Sequence, residues 1–103
     1  MCGRSSSFEN LEVWQKACRL NVDLWHLLSD SKEYWLREQM LGSALSIPSN
    51  IAEGCDRGSK PDFRRFLNIA KASAAELRTQ LYIAAEIQVI NEDRAEQFLE
   101  ELA

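Results

Sequence analysis

The chain has 103 residues, a hydrophobic fraction of 46% and a formal net charge of −4. This length suits one domain, and the apolar content is too high for a disordered chain. No apolar run approaches the roughly 18 residues that a membrane span needs, and the N-terminal residues lack the apolar region of a signal peptide. We therefore expect a cytoplasmic protein without a membrane partner. It would have a flexible tail over residues 1–7 and a single domain over residues 8–103.

The first predicted helix runs from about Phe8 to Leu28, where the polar residues 29–31 break the pattern. Apolar residues recur there at steps of three and four, which is the spacing of one face of a helix. Lys16 and Arg19 fall on the opposite side. The predicted inner face consists of Val13, Trp14, Ala17, Leu20, Leu24, Leu27 and Leu28.

The second predicted helix runs from about Glu33 to Cys55 and contains Pro48. Proline has no N–H to offer the carbonyl four residues earlier, so we expect the helix to bend there. Gly54 is suited to cap the C-terminal end. One stripe of this helix is apolar (Leu36, Met40, Ala44, Ile47, Ile51 and Cys55), and another is polar and mostly small (Gln39, Ser43, Ser46, Asn50 and Glu53).

The third predicted helix opens with a capping serine, Ser59, a first-turn proline and an acid three residues after the cap. It continues to about Ile87, and a shorter fourth helix follows Asn91. Its inner face consists of Phe63, Phe66, Leu67, Ala70, Ala74, Leu77, Leu81 and Ala84. Long helices joined by short loops pack as neighbours of opposite direction. We therefore predict an all-α fold, an antiparallel up-down four-helix bundle with helix two kinked at Pro48.

Residues along most of the chain resemble one family. The most specific string is Ser-Ile-Pro-Ser-Asn-Ile-Ala-Glu-Gly at residues 46–54. Other matches include Val-Trp-Gln-Lys-Ala at 13–17 and Arg-Phe-Leu at 65–67, and the similarity extends from about residue 8 to residue 90. The chain resembles the bacterial four helix bundle protein family. Members of that family include proteins encoded by intervening sequences in large-subunit ribosomal RNA genes.

The resemblance implies assembly into a ring-like homopentamer. It also implies kinship with the accessory proteins of diversity-generating retroelements, which bind nucleic acid and a reverse transcriptase. From this resemblance we expect the chain to bind RNA, as a ribosomal protein does. The family has no attributed catalytic residues, so none are carried over. We expect its recurring residues to form a structural motif, made of Ser46, Pro48, Asn50, Glu53 and Gly54.

The charges along the chain are polarised. Residues 58–78 hold five bases and two acids, whereas residues 86–103 hold six acids and one base. Bases spaced by seven keep to one side of a helix and could follow a phosphate backbone. They could equally form a solvated face, with some bases paired to acids of the fourth helix. The acidic total argues against tight, nonspecific DNA binding. The candidate RNA contacts are Arg57, Lys60, Arg64, Arg65, Lys71 and Arg78.

Other residue types give weaker signals. Asn50 and Glu53 lie one turn apart beside Pro48, where they could form a ligand site. We favour a structural role, in which they satisfy backbone groups freed by the proline or bond across helices. His26 is the only histidine and is expected at a helix surface, and Trp35 is the tryptophan most open to base stacking. The three cysteines, Cys2, Cys18 and Cys55, lack metal-ligand spacing and are predicted to be free thiols.

No arrangement of residues predicts catalysis, a cofactor or a metal site. The sequence therefore favours a non-enzymatic helical protein that forms a homo-oligomer and binds structured RNA or a nucleoprotein. The alternative is a protein-interaction scaffold with no nucleic-acid role.

Overall fold

The computed structural model describes residues 7–102, so the first six residues of the predicted tail lie outside that range. A short 3₁₀-helix (Phe8–Asn10) is followed by four α-helices, and no residue of the described range is in a strand. The helices are α1 (Glu12–Leu28), α2 (Tyr34–Asp56), α3 (Lys60–Glu86) and α4 (Glu92–Leu102). They pack as a four-helix bundle, which confirms the predicted all-α fold.

The start of α1 differs from the sequence prediction. Leu11 has an extended backbone (φ −79°, ψ 125°), so the predicted first helix is divided into the 3₁₀-helix and α1. The ring of Phe8 nevertheless packs edge-on against Trp14, with 5.2 Å between the ring centroids. Phe8 therefore still packs on α1 although the backbone between them is not α-helical.

Buried apolar side chains from all four helices form one core. The predicted apolar stripe of α2 is buried throughout, and the predicted inner face of α3 is buried or half-buried. Val13 of α1 is an exception, because half of its surface (52%) is exposed although its spacing places it on the inner face. The largest fully buried side chains are Leu24, Leu28, Met40, Ile51, Leu77 and Leu81.

The two longest helices, α2 and α3, pack closely together. Gly54 near the end of α2 lies against Phe66 near the start of α3, and a Cβ atom at Gly54 would lie 2.6 Å from the Phe66 Cβ. Further back along α2, Ser46 bonds to Ser73. Lower residue numbers on α2 are thus paired with higher residue numbers on α3. The two helices therefore run in opposite directions. The antiparallel order of the whole bundle and the bend at Pro48 stay predictions.

The described part of the molecule is elongated, with extents of 45 × 22 × 19 Å. None of its helices combines the length and the apolar character that would be needed to cross a membrane.

Candidate nucleic-acid interface

The basic residues of α3 are positioned by a well-capped helix start. The Ser59 hydroxyl accepts a hydrogen bond from the backbone N–H of Asp62 at 3.2 Å, as the sequence predicted. The Asp62 carboxylate lies in the first turn, where the helix dipole favours a negative charge. Pro61 occupies the first turn, where a missing N–H costs no helical hydrogen bond. The helix that follows is continuous for 27 residues.

Four of the predicted contact residues share one face of α3. Lys60, Arg64, Lys71 and Arg78 are separated by four, seven and seven residues, so a rotation of 100° per residue keeps them within about 40° of one another. We call these four residues the basic stripe. All four are exposed, and none forms an ion pair with any residue from 7 to 102. The stripe is about 27 Å long at a rise of 1.5 Å per residue.

The other two predicted contacts, Arg57 and Arg65, belong to a separate cluster around Phe66. Their guanidinium carbons lie 4.7 and 4.8 Å from the centre of that ring. Arg57 also donates to Glu53 at 3.1 Å, and Arg65 forms a longer ion pair of 3.6 Å with Asp62. These two guanidiniums therefore cover a core aromatic ring at the α2–α3 corner. The structure does not place them with the basic stripe.

The polar stripe of α2 meets polar residues of α3 in a set of hydrogen bonds. The Ser43 hydroxyl donates to the Glu76 carboxylate at 2.8 Å, and the Ser46 and Ser73 hydroxyls lie 2.8 Å apart. We call these two pairs the polar ladder. Small side chains allow the two helix backbones to approach while each hydroxyl still finds a partner.

Pro48 leaves one carbonyl of α2 without its usual helical donor, and a side chain of α1 supplies the replacement. The carbonyl is that of Ala44, four residues before the proline. The side-chain amide of Asn21 donates to it at 2.8 Å and also donates to the carbonyl of Ala17 at 2.8 Å. Asn21 therefore joins α1 to α2 at the proline. No pattern in the sequence marks Asn21, because its role depends on which turn of α1 faces Ala44.

Two side chains on α2 play other roles than the one expected of them. Asn50 donates to the carbonyl and the hydroxyl of Ser46, at 2.8 and 2.9 Å. Glu53 pairs with Arg57 one turn later. Within residues 7–102, neither side chain bonds to the Ala44 carbonyl or to another helix, and Asn21 supplies the donor for that carbonyl instead. The residues around Pro48 thus join helices together, and Gly54 permits the close approach of Phe66.

This helix-joining segment lies within a match to a known family. A family model described as 23S rRNA-intervening sequence protein matches residues 9–103. The chain belongs to the 23S rRNA intervening-sequence protein family. Comparison with curated proteins finds no match. The match covers all four helices of this intervening-sequence protein, and it confirms the resemblance that the residues of α2 indicated.

The remaining candidates of this intervening-sequence protein, Trp35 and His26, belong to α2 and α1, whereas the basic stripe belongs to α3. Trp35 is 60% exposed, and its indole N–H donates to Glu33 at 3.0 Å. His26 is exposed, as expected, with its ring edge-on to Trp25. Among residues 7–102, no three side chains of the metal-binding types come close enough together to hold a metal ion.

Cys18 and Cys55 differ in oxidation state. Partial burial raises the pKa of the Cys18 thiol, which is free as predicted. Cys55 is disulfide-bonded, so the prediction of a free thiol at that position is wrong. The prediction for Cys2 lies outside the described residues.

Proposed function

We propose that this chain is a non-enzymatic, cytoplasmic RNA-binding protein that contacts the backbone of structured RNA through the basic stripe of α3. The observation that carries the proposal is the presence of four exposed bases, unpaired among residues 7–102, along about 27 Å of one helix face. Lysine and arginine on such a face attract phosphates without reading base sequence.

The alternative use of these bases was pairing with the acids of α4. No ion pair joins α3 to α4 within the described range. The bases of the stripe are therefore available to an external anion. The net charge of −4 argues that binding depends on this face alone and weakens steeply with salt.

The test is the fluorescence anisotropy of a labelled RNA hairpin titrated with protein at several salt concentrations. The variant carries Arg64→Glu and Lys71→Glu, and its matched control carries Lys32→Glu and Arg94→Glu, which change the net charge equally away from the stripe. We expect binding whose logarithm falls linearly with the logarithm of salt concentration. The stripe variant should bind more weakly, with a slope smaller by about one for each lost phosphate contact. Equal binding by both variants would refute the site, and no binding by folded wild-type protein would refute the RNA function.

We also propose that the protein acts as a homo-oligomer, and the family resemblance leads us to expect a pentamer. Supporting this, apolar side chains are exposed where α1 and α2 meet. Asn21 contacts Ala44 across this seam, and next to these two residues lie Val22, Trp25 and Leu45, which are 56, 56 and 60% exposed. Because these three residues are close in sequence to two residues that contact across the seam, we expect them to form one apolar patch, and such patches are typical of protein–protein contact surfaces.

Light scattering after size-exclusion chromatography tests the oligomer. Trp25→Glu combined with Leu45→Glu should reduce the molar mass, whereas Tyr82→Glu, at an equally exposed aromatic residue on α3, should not. A wild-type protein of monomeric mass would contradict the oligomer.

The same apolar surface supports the second candidate function, a scaffold for another protein. In that case a captured protein partner would survive nuclease treatment, and its capture would depend on Trp25 and Leu45. The stripe variant would then bind the partner as wild type does.

A further inference from the structure

Tyr82 lies on the same face of α3 as the basic stripe. A rotation of 100° per residue puts Tyr82 inside the sector of about 40° that holds Lys60, Arg64, Lys71 and Arg78. No other residue of α3 falls in that sector. The face therefore presents four bases and then one aromatic ring, which lies one turn, about 6 Å along the axis, beyond Arg78.

The ring of Tyr82 is open to solvent. Its side chain is 63% exposed, the highest value among the exposed large apolar side chains of residues 7–102. Within that range its hydroxyl group makes no hydrogen bond, and its ring meets no other ring or guanidinium group. The other exposed aromatic side chains of the range do have such partners: Trp25 (with His26), Tyr34 (with Arg37) and Trp35 (with Glu33). Both faces of the Tyr82 ring are thus available to an external group.

The charge on this side of α3 changes sign after Tyr82. Glu86 follows Tyr82 by one turn, about 40° further around the helix, and its side chain is exposed. A phosphate backbone that follows the bases would meet this carboxylate if it continued along α3, and like charges repel. We therefore expect the RNA strand to leave the helix at the level of Tyr82.

We propose that Tyr82 stacks on an unpaired base of the RNA, next to the phosphates that the basic stripe contacts. Bases within a duplex stack on one another, so a base that meets an aromatic side chain comes from a loop, a bulge or a strand end. The ligand class is therefore a duplex that adjoins an unpaired nucleotide. Because every base has a flat face, the ring accepts any of them. This inference rests on the proposed RNA-binding function and adds to it the class of RNA.

Two labelled RNAs separate the contact to the base from the contacts to the backbone. One is a hairpin with an unpaired loop, and the other is a fully paired duplex with the same number of phosphates. Both are titrated with the full chain by fluorescence anisotropy at several salt concentrations. We expect the wild-type protein to bind the hairpin about fivefold or more tightly than the duplex, because stacking of a single base on an aromatic ring contributes that much.

Tyr82→Ala is the decisive variant. It should weaken binding of the hairpin about fivefold or more and leave binding of the duplex unchanged. The slope of the binding constant against salt should stay as in the wild type, because the ring carries no charge. Arg64→Glu with Lys71→Glu should instead weaken the binding of both RNAs and reduce that slope. Residue 82 is exposed and alanine favours a helix, so we expect the variant to fold.

Two further variants serve as controls. Tyr82→Phe keeps the flat ring and should bind the hairpin within about twofold of the wild type, since stacking uses the ring face. Tyr34→Ala removes a tyrosine of similar exposure, 59%, from α2 and should bind both RNAs as the wild type does.

Three results would overturn the proposal. They are equal affinity of the wild type for the hairpin and the duplex, equal effects of Tyr82→Ala on both RNAs, and a reduced molar mass of Tyr82→Ala by light scattering, which would show that the ring contacts another copy of the chain. Salt-dependent binding of both RNAs would leave the basic stripe standing in each of these cases. If folded wild-type protein binds neither RNA, the proposed function itself is refuted and this inference is refuted with it.

Discussion

The contact between Asn21 and the carbonyl of Ala44 makes a quantitative prediction about Pro48. Asn21→Ala removes the donor that replaces the missing proline N–H. The carbonyl lies at the α1–α2 contact, and leaving such an acceptor unpaired costs about 1–3 kcal/mol. In a Pro48→Ala background the new N–H of residue 48 can bond to the same carbonyl, so removing the Asn21 amide should cost much less.

The expected coupling between the two substitutions is therefore about 1–2 kcal/mol. The four proteins of the cycle are compared by urea denaturation at equal concentration. Thermal unfolding gives a second measure, because 1 kcal/mol shifts the midpoint by roughly 4–8 °C in a domain of this size. Asn50→Ala provides the control, since its amide bonds to Ser46, whose carbonyl keeps its helical donor.

Additivity of Asn21→Ala and Pro48→Ala within about 0.5 kcal/mol would refute the reasoning. A coupling of similar size between Asn50→Ala and Pro48→Ala would also count against it, because it would show a general weakening of α2. We further expect Pro48→Ala to keep the helix content by circular dichroism and to alter the oligomeric state. A molar mass identical to that of the wild type would contradict this last expectation.

Three further predictions concern stability. Gly54→Ala should lower the free energy of unfolding in urea by about 1–3 kcal/mol, because the added Cβ would meet Phe66. Gly42→Ala should raise the free energy of unfolding by about 0.5–1 kcal/mol, because a Cβ there has nothing within 4 Å and alanine favours the helix. Equal effects at the two glycines would disprove the close approach. Ser59→Ala should cost about 1 kcal/mol in thermal unfolding through the lost N-cap, and an unchanged midpoint would show that the cap adds nothing. Gln80→Met should leave the free energy of unfolding in guanidinium unchanged or raise it by up to about 1 kcal/mol. The reason is that the Gln80 side-chain oxygen is buried and has no hydrogen-bond partner in the described range. A clear loss of stability would show that this oxygen does have a partner.

The helices and their buried faces could be predicted from sequence because apolar spacing directly encodes which side of a helix is covered. The apolar stripe of α2 is the clearest case. The start of α1 could not be predicted this way, since apolar spacing does not reveal that the backbone at Leu11 is extended. The exposure of Val13 differs from the prediction because apolar spacing identifies an inward face but does not show whether another helix covers it.

The candidate site was predicted as a set of six bases, and the structure divides that set. Spacing alone separates Arg65 from its neighbour Arg64, since adjacent residues are 100° apart on a helix. The packing of Arg57 and Arg65 on Phe66 required the path of the chain between α2 and α3. The role of Asn21 had no local signal at all, because it depends on a contact between residues 23 positions apart.

The polar ladder sets how far α2 can slide along α3. Polar pairs specify the register between two helices, because each hydroxyl or carboxylate meets its partner at a single offset. Sliding by one turn, about 5.4 Å, would separate Ser43 from Glu76 and Ser46 from Ser73 together. The hydrogen bonds of the ladder therefore favour one alignment of the two longest helices. The basic stripe lies on α3, so this alignment sets the position of its charges relative to α2 in the unbound protein.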